Sequence, residues 1–138
     1  MRVANIKTTE RKIFHQYLIV TQPFHKIRKR EMTILAELLY WRHQLSAVVS
    51  DDEILDKLVF SAETKDKISK SLNLKNVDLN QSFSYLRKIG VMKGKTLNKK
   101  YIPVLTDTGM KIVFNFILDE DKGDNKKEDS KENKEDSQ

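Results

Sequence analysis

Asn76, Asn80, Gln81, Ser84 and Lys88 recur along one side of a single stretch of chain, and Lys93, Lys95, Lys99 and Lys100 follow closely behind. Carboxamide side chains hold a donor and an acceptor side by side, which matches the major-groove edge of adenine. Lysine and arginine reach guanine or phosphate. Four lysines on one projecting loop suit a phosphate backbone or a minor groove. The competing reading is plainer: a solvated helix face, and a hairpin whose charge guards it against edge pairing. What favours base and backbone contact is the order of the elements, in which a turn precedes the polar face and a basic hairpin follows it. On that reading Lys67, Lys70 and Lys75 clamp flanking phosphates, and Asp78 suits the positive end of its helix while repelling phosphate.

Other chemistry finds no foothold. The chain lacks cysteine, which excludes disulfides and thiolate-bound zinc and fits a reducing compartment. His15, His25 and His43 have no metal-ligand spacing, so no metal or other cofactor is expected. There is no Ser/His/Asp arrangement, glycine-rich phosphate loop or carboxylate pair in an apolar setting, so no enzymatic activity is expected.

The elements that must position these residues can be read from periodicity. Arg11–Val20 allows a helix with Ile13, Phe14, Tyr17 and Leu18 on one side, or a strand in its second half, with Pro23 ending it. A basic cluster, His25 to Arg30, follows. Glu31–Leu45 is the clearest helix: Met32, Leu35, Ala36, Leu39 and His43 form a stripe that Leu38, Trp41 and Leu45 widen, as in a central core helix. Ser50–Glu53 has the character of an N-cap with an acidic first turn, and short helices carry Ile54, Leu55, Leu58 and Val59, then Ile68 and Leu72. Asn73 suits a left-handed corner. The next helix runs from Asn76 to Ile89 with Leu79, Phe83 and Leu86 buried, and Gly90 stops it. Val91–Leu105 forms a hairpin with its turn at Gly94–Asn98, its four lysines at the tip, and Tyr85 packed beneath it. Lys111–Leu118 is rich in β-branched and aromatic residues and is expected to be a strand.

The fold class expected is therefore α+β: a mainly helical winged helix-turn-helix with a C-terminal β-hairpin wing and a disordered acidic tail. Its divisions are an N-terminal extension (1–24), a winged-helix domain (25–118) and a charged tail (119–138). Residues 1–118 carry 21 basic and 11 acidic residues, a net of +10, whereas 119–138 carries a net of −4. A body so basic points to a polyanion partner. The tail has too few apolar residues to offset its ordering entropy. Three roles suit it: solubility, competition with DNA for the basic face, or contact with RNA polymerase or another protein. No stretch approaches the roughly 18 apolar residues of a membrane span, and no apolar segment follows Arg2 as a secretory signal requires. The expected location is the cytoplasm.

The run Leu74, Leu79, Phe83, Leu86, Gly90, an apolar pair and a basic hairpin resembles the winged-helix core of MarR-type bacterial regulators. Leu105-Thr106-Asp107-Thr108-Gly109 is similar to the "LT-x-x-G" after that family's wing. The resemblance covers about Glu63 to Gly109, and a looser one links the N-terminal part to small winged-helix proteins of tailed bacteriophages. It implies sequence-specific binding of double-stranded DNA and regulation of transcription, with Lys75, Asn76, Asn80, Gln81, Ser84, Lys88, Lys93, Lys95, Lys99 and Lys100 at the DNA. A homodimer is plausible on the small footprint of one helix and one wing. The segment after Gly109 departs from the family, which has a dimerisation helix there. The alternative reading is a winged-helix protein-interaction module, such as a phage accessory or assembly factor, that does not bind DNA.

Overall fold

The computed structural model describes residues 2–119; the expected disordered tail lies almost wholly outside them. Among these residues, five helices and a two-stranded antiparallel hairpin make up the regular structure: α1 (Ile13–His25), α2 (Lys29–Ser46), α3 (Asp52–Val59), α4 (Ala62–Leu72), α5 (Asn76–Lys88), β1 (Met92–Lys93) and β2 (Thr96–Leu97). A short 3-10 turn, Lys99–Tyr101, follows the hairpin. Two compact units divide at Pro103 and Val104.

In the first unit α2 is the centre. Ile34, Leu35 and Leu38 are fully buried, with Leu39, Ala36 and Met32 nearly so, and α1, α3, α4 and α5 all pack on it. Burial on every side removes the polar face a surface helix would keep, which is why the apolar stripe in the sequence is so broad. α1 contributes Phe14 and Leu18, both buried, so the N-terminal helix belongs to the same core.

Pro23 lies inside α1, not beyond it. There a proline forfeits one hydrogen bond and its ring crowds the Ile19 carbonyl, but only two residues of α1 follow it. The end comes at Lys26, left-handed at φ 57, whose N–H donates to the Gln22 carbonyl at 2.8 Å. The His25 ring closes this end: Nδ1 accepts from Ile27 N–H at 2.9 Å, which leaves Nε2 to donate to the Leu18 carbonyl at 2.8 Å. One side chain thus satisfies two backbone groups.

The later helices begin and end as their local chemistry dictates. The Asp51 carboxylate caps α3 by accepting from Glu53 and Ile54 N–H, and the Ser61 hydroxyl accepts from Thr64 N–H at the start of α4. Asn73 ends α4 at φ 53, and Leu74 N–H returns to the Ser69 carbonyl at 2.9 Å. Gly90 ends α5 at φ 87, and Val91 N–H returns to the Leu86 carbonyl at 2.9 Å.

The second unit, from Val104, contains one bridge among the described residues, Thr106 to Gly109, closed by N–H···O bonds in both directions. From Met110 to Asp119 there is no helix or strand, which corrects the strand expected over Lys111–Leu118. A strand needs a neighbour for its backbone groups, and β-branched composition alone does not supply one.

Candidate nucleic-acid interface

Leu79, Phe83 and Leu86 bury one side of α5, with Ser82 beside them. Counting by the helical period, the opposite side is centred on Val77, Gln81, Ser84 and Lys88, all exposed. Asn76, Asn80 and Arg87 occupy one edge, and Asp78, Ser82 and Tyr85 the other. All ten residues expected at DNA are exposed. Val77 was not among them, yet it is 63% exposed at the middle of the outward face, where a branched methyl pair can meet a thymine methyl. An exposed valine in the first turn of a polar face is a visible sequence signal, although its apolar character suggests a buried position.

The wing meets α5 on the Asn76/Asn80/Arg87 edge. Arg87 Nε donates to the Gly94 carbonyl at 3.0 Å, tying the turn of the hairpin to the helix. Met92 pairs with Leu97 and Lys93 with Thr96, so the turn is only Gly94-Lys95, with positive φ confined to Gly94 (61°) as a type II′ hairpin needs. Val91, Met92 and Leu97 are buried and fasten the base.

This hairpin is shorter than the one expected, and the difference moves two lysines. Lys93 and Lys95 sit at the tip. Lys99 and Lys100 belong to the 3-10 turn beyond β2, whose start Asn98 caps by accepting from Lys100 N–H. Asn98 sets this geometry by also donating through Nδ2 to the Gly90 carbonyl at 3.0 Å, and its own N–H bonds Val91. Lys99 Nζ lies 3.2 Å from Asp52, which offsets its charge. Lys67 and Lys70 are likewise paired along α4, with Glu63 and Asp66. Lys75, Lys88, Lys93, Lys95 and Lys100 form no ion pair among the described residues.

The other edge of α5 carries a cluster that periodicity does not reveal. Glu31 and Ser82 are 1% and 0% exposed, and the Ser82 hydroxyl donates to Glu31 Oε2 at 2.6 Å. Arg28 Nε donates to Glu31 Oε1 at 2.9 Å, and Arg30 Nε lies 3.0 Å from Ser82 Oγ. Burial pushes the Glu31 carboxyl up, but the hydrogen bonds from Ser82, Arg28 and Arg30 outweigh it and hold the group below the usual carboxylate range. Arg28 also stacks its guanidinium 3.6 Å over the Tyr85 ring. Tyr85 therefore packs under Arg28, whereas the sequence suggested the wing. A Glu at the start of an apolar helix and a Ser inside an amphipathic one each pass as surface residues, and only their meeting across 51 positions makes them a pair.

No helix among the described residues is long and apolar enough to cross a membrane. No family model, curated protein or solved structure matches the chain; its helices and two-stranded hairpin are compatible with a winged helix.

Proposed function

We propose that this protein binds double-stranded DNA in a sequence-dependent way, with α5 in the major groove and the Gly94-Lys95 turn on the adjacent backbone, and that it regulates transcription in a bacterial or phage-infected cell. The observation that carries this reading is the outward face of α5. Its polar side chains are exposed and unpaired with one another, and the hairpin fastened beside it presents Lys93 and Lys95. A helix about 10–12 Å across fits the ~12 Å major groove of B-DNA, whereas the deep, narrow groove of A-form RNA does not admit it. Asn80 and Gln81 have the chemistry to read adenine, Val77 a thymine methyl, and Lys88 guanine or phosphate. The role is one of binding, with no catalytic step.

The test is an anisotropy titration of the full chain against random and source-genome duplexes at two salt concentrations. Binding that weakens steeply with salt is the expected result. Gln81→Ala should then cost roughly 1–3 kcal/mol at one base pair and leave the others unchanged. No binding at low salt would sink the reading.

A second reading is a protein contact, including a second copy of this chain. It is favoured by Phe116, Ile117 and Leu118, which are 101%, 82% and 96% exposed. Sedimentation of the full chain over a range of concentrations separates a dimer from a monomer.

A further inference from the structure

The segment from Lys26 to Arg30 forms a second basic flank on α5, opposite the wing. Arg28 over Tyr85 and Arg30 against Ser82 hold it to the Asp78/Ser82/Tyr85 edge, while Arg87 holds the wing turn to the far edge. The two flanks are anchored independently: one through buried Ile27 and the Glu31–Ser82 pair, the other through buried Val91, Met92 and Leu97. The segment and the helix start after it carry Lys26, Arg28, Lys29 and Arg30 beside Glu31, and this edge of α5 carries Asp78, a net of +2. Glu31 takes up part of the charge of the two arginines, but Lys26 and Lys29 are exposed and form no ion pair among the described residues.

A groove of duplex DNA is bordered by a phosphate strand on each side. A helix lying in it meets phosphates beyond both of its edges, so cations on both flanks touch two strands at once. From this juxtaposition we infer that Lys26 and Lys29 bind the phosphates of the strand opposite the one under the wing, so that the protein straddles the groove. The inference rests on α5 being the groove-entering helix. Arg28 and Arg30 position the flank, and the two lysines make the contact.

The experiment compares the full chain with the Lys26→Ala/Lys29→Ala and Lys93→Ala/Lys95→Ala double variants, and with Lys12→Ala as a control. Lys12 precedes the far end of α1, roughly 20 Å along that helix from Lys26. Each is titrated against a random-sequence 20-base-pair duplex over a salt series, with thermal melting to check the fold. Both double variants are expected to flatten the plot of log affinity against log salt by about two units, roughly one for each lysine, while Lys12→Ala leaves it unchanged. Lys29→Glu alone should flatten it further than Lys29→Ala. If the Lys26/Lys29 variant keeps the parent slope while the Lys93/Lys95 variant loses its two units, the second flank is wrong and the groove reading stands. If the parent chain does not bind the duplex at all, both fall together.

Discussion

At the residue scale, the Glu31–Ser82 pair shows how a small polar contact orients a surface helix. Ser82 lies on the exposed-to-buried boundary of α5, and its hydroxyl satisfies a carboxylate that α2 has buried. Removing one partner leaves the other desolvated and short of a bond, which costs more than the bond itself contributes. Ser82→Ala should therefore destabilise the fold by about 1–3 kcal/mol in chemical denaturation. The pH dependence has a definite sign. A carboxyl depressed in the folded state stabilises above its unfolded pKa, and that stability is lost as pH falls through the folded value. The Glu31 contribution should thus fade below the ordinary carboxylate range, and Glu31→Gln should remove that part of the acid sensitivity. Asp56 acts in the opposite sense. Burial raises its carboxyl, and Arg42 Nε at 3.7 Å is too far to hydrogen-bond it and compensates only in part. Its contribution is present at low pH and lost as pH rises through the raised value. Asp56→Asn should therefore leave the Glu31 effect intact and steepen the net loss of stability in acid.

At the element scale, two left-handed residues set the path of the chain around α5. Asn73 at φ 53 turns the corner into it, and Gly90 at φ 87 turns the corner out. Asn73→Val should cost about 1–2 kcal/mol, since a β-branched side chain crowds the following carbonyl there. A Cβ at Gly90 meets no atom within 4 Å, so Gly90→Ala would cost backbone strain alone, about 1 kcal/mol. The wing hairpin is short, and its tip depends on Arg87. Arg87→Lys keeps the charge but loses the fixed Nε donor to Gly94. Amide hydrogen exchange from Lys93 to Thr96 should accelerate, with global stability changed by less than about 1 kcal/mol. Unchanged exchange would show that the hairpin holds its own turn.

At the scale of the whole molecule, α2 couples the first unit. Leu38 is fully buried on a helix that α1, α3, α4 and α5 all touch. Leu38→Ala should cost about 2–5 kcal/mol and lower the stability of every element together in a single transition. An α1 that melted separately in that variant would show that the N-terminal helix folds apart from the rest. Charge at this scale is uneven in a way composition hides. Lys67, Lys70 and Lys99 are offset by carboxylates, while the lysines on the α5 face and the hairpin tip form no ion pair among the described residues. Glu63→Gln and Asp66→Asn would release two lysines, and should raise duplex affinity if α4 lies near phosphate.

Periodicity alone was enough for the helices that matter most. Glu31–Leu45, the Asn73 corner, the buried edge Leu79/Phe83/Leu86 and the Gly90 stop are all local signals, set by side-chain spacing and by which residues accept a left-handed backbone. The outward face of α5 was legible for the same reason, because an amphipathic helix that buries its apolar edge leaves its polar one to solvent. Tertiary structure decided the rest. Pro23 stays within α1 because the helix ends two residues later, so little of it is disrupted. The hairpin closes at Gly94-Lys95 because Asn98 bonds Gly90 and Val91, which takes Lys99 and Lys100 off the tip. Lys111–Leu118 has strand composition and no strand, since pairing depends on a neighbour. The Glu31–Ser82 contact and the Arg28–Tyr85 stack join residues more than fifty positions apart. Which polar groups meet over such a separation is fixed by how α2 and α5 pack, and spacing along the chain carries no record of it.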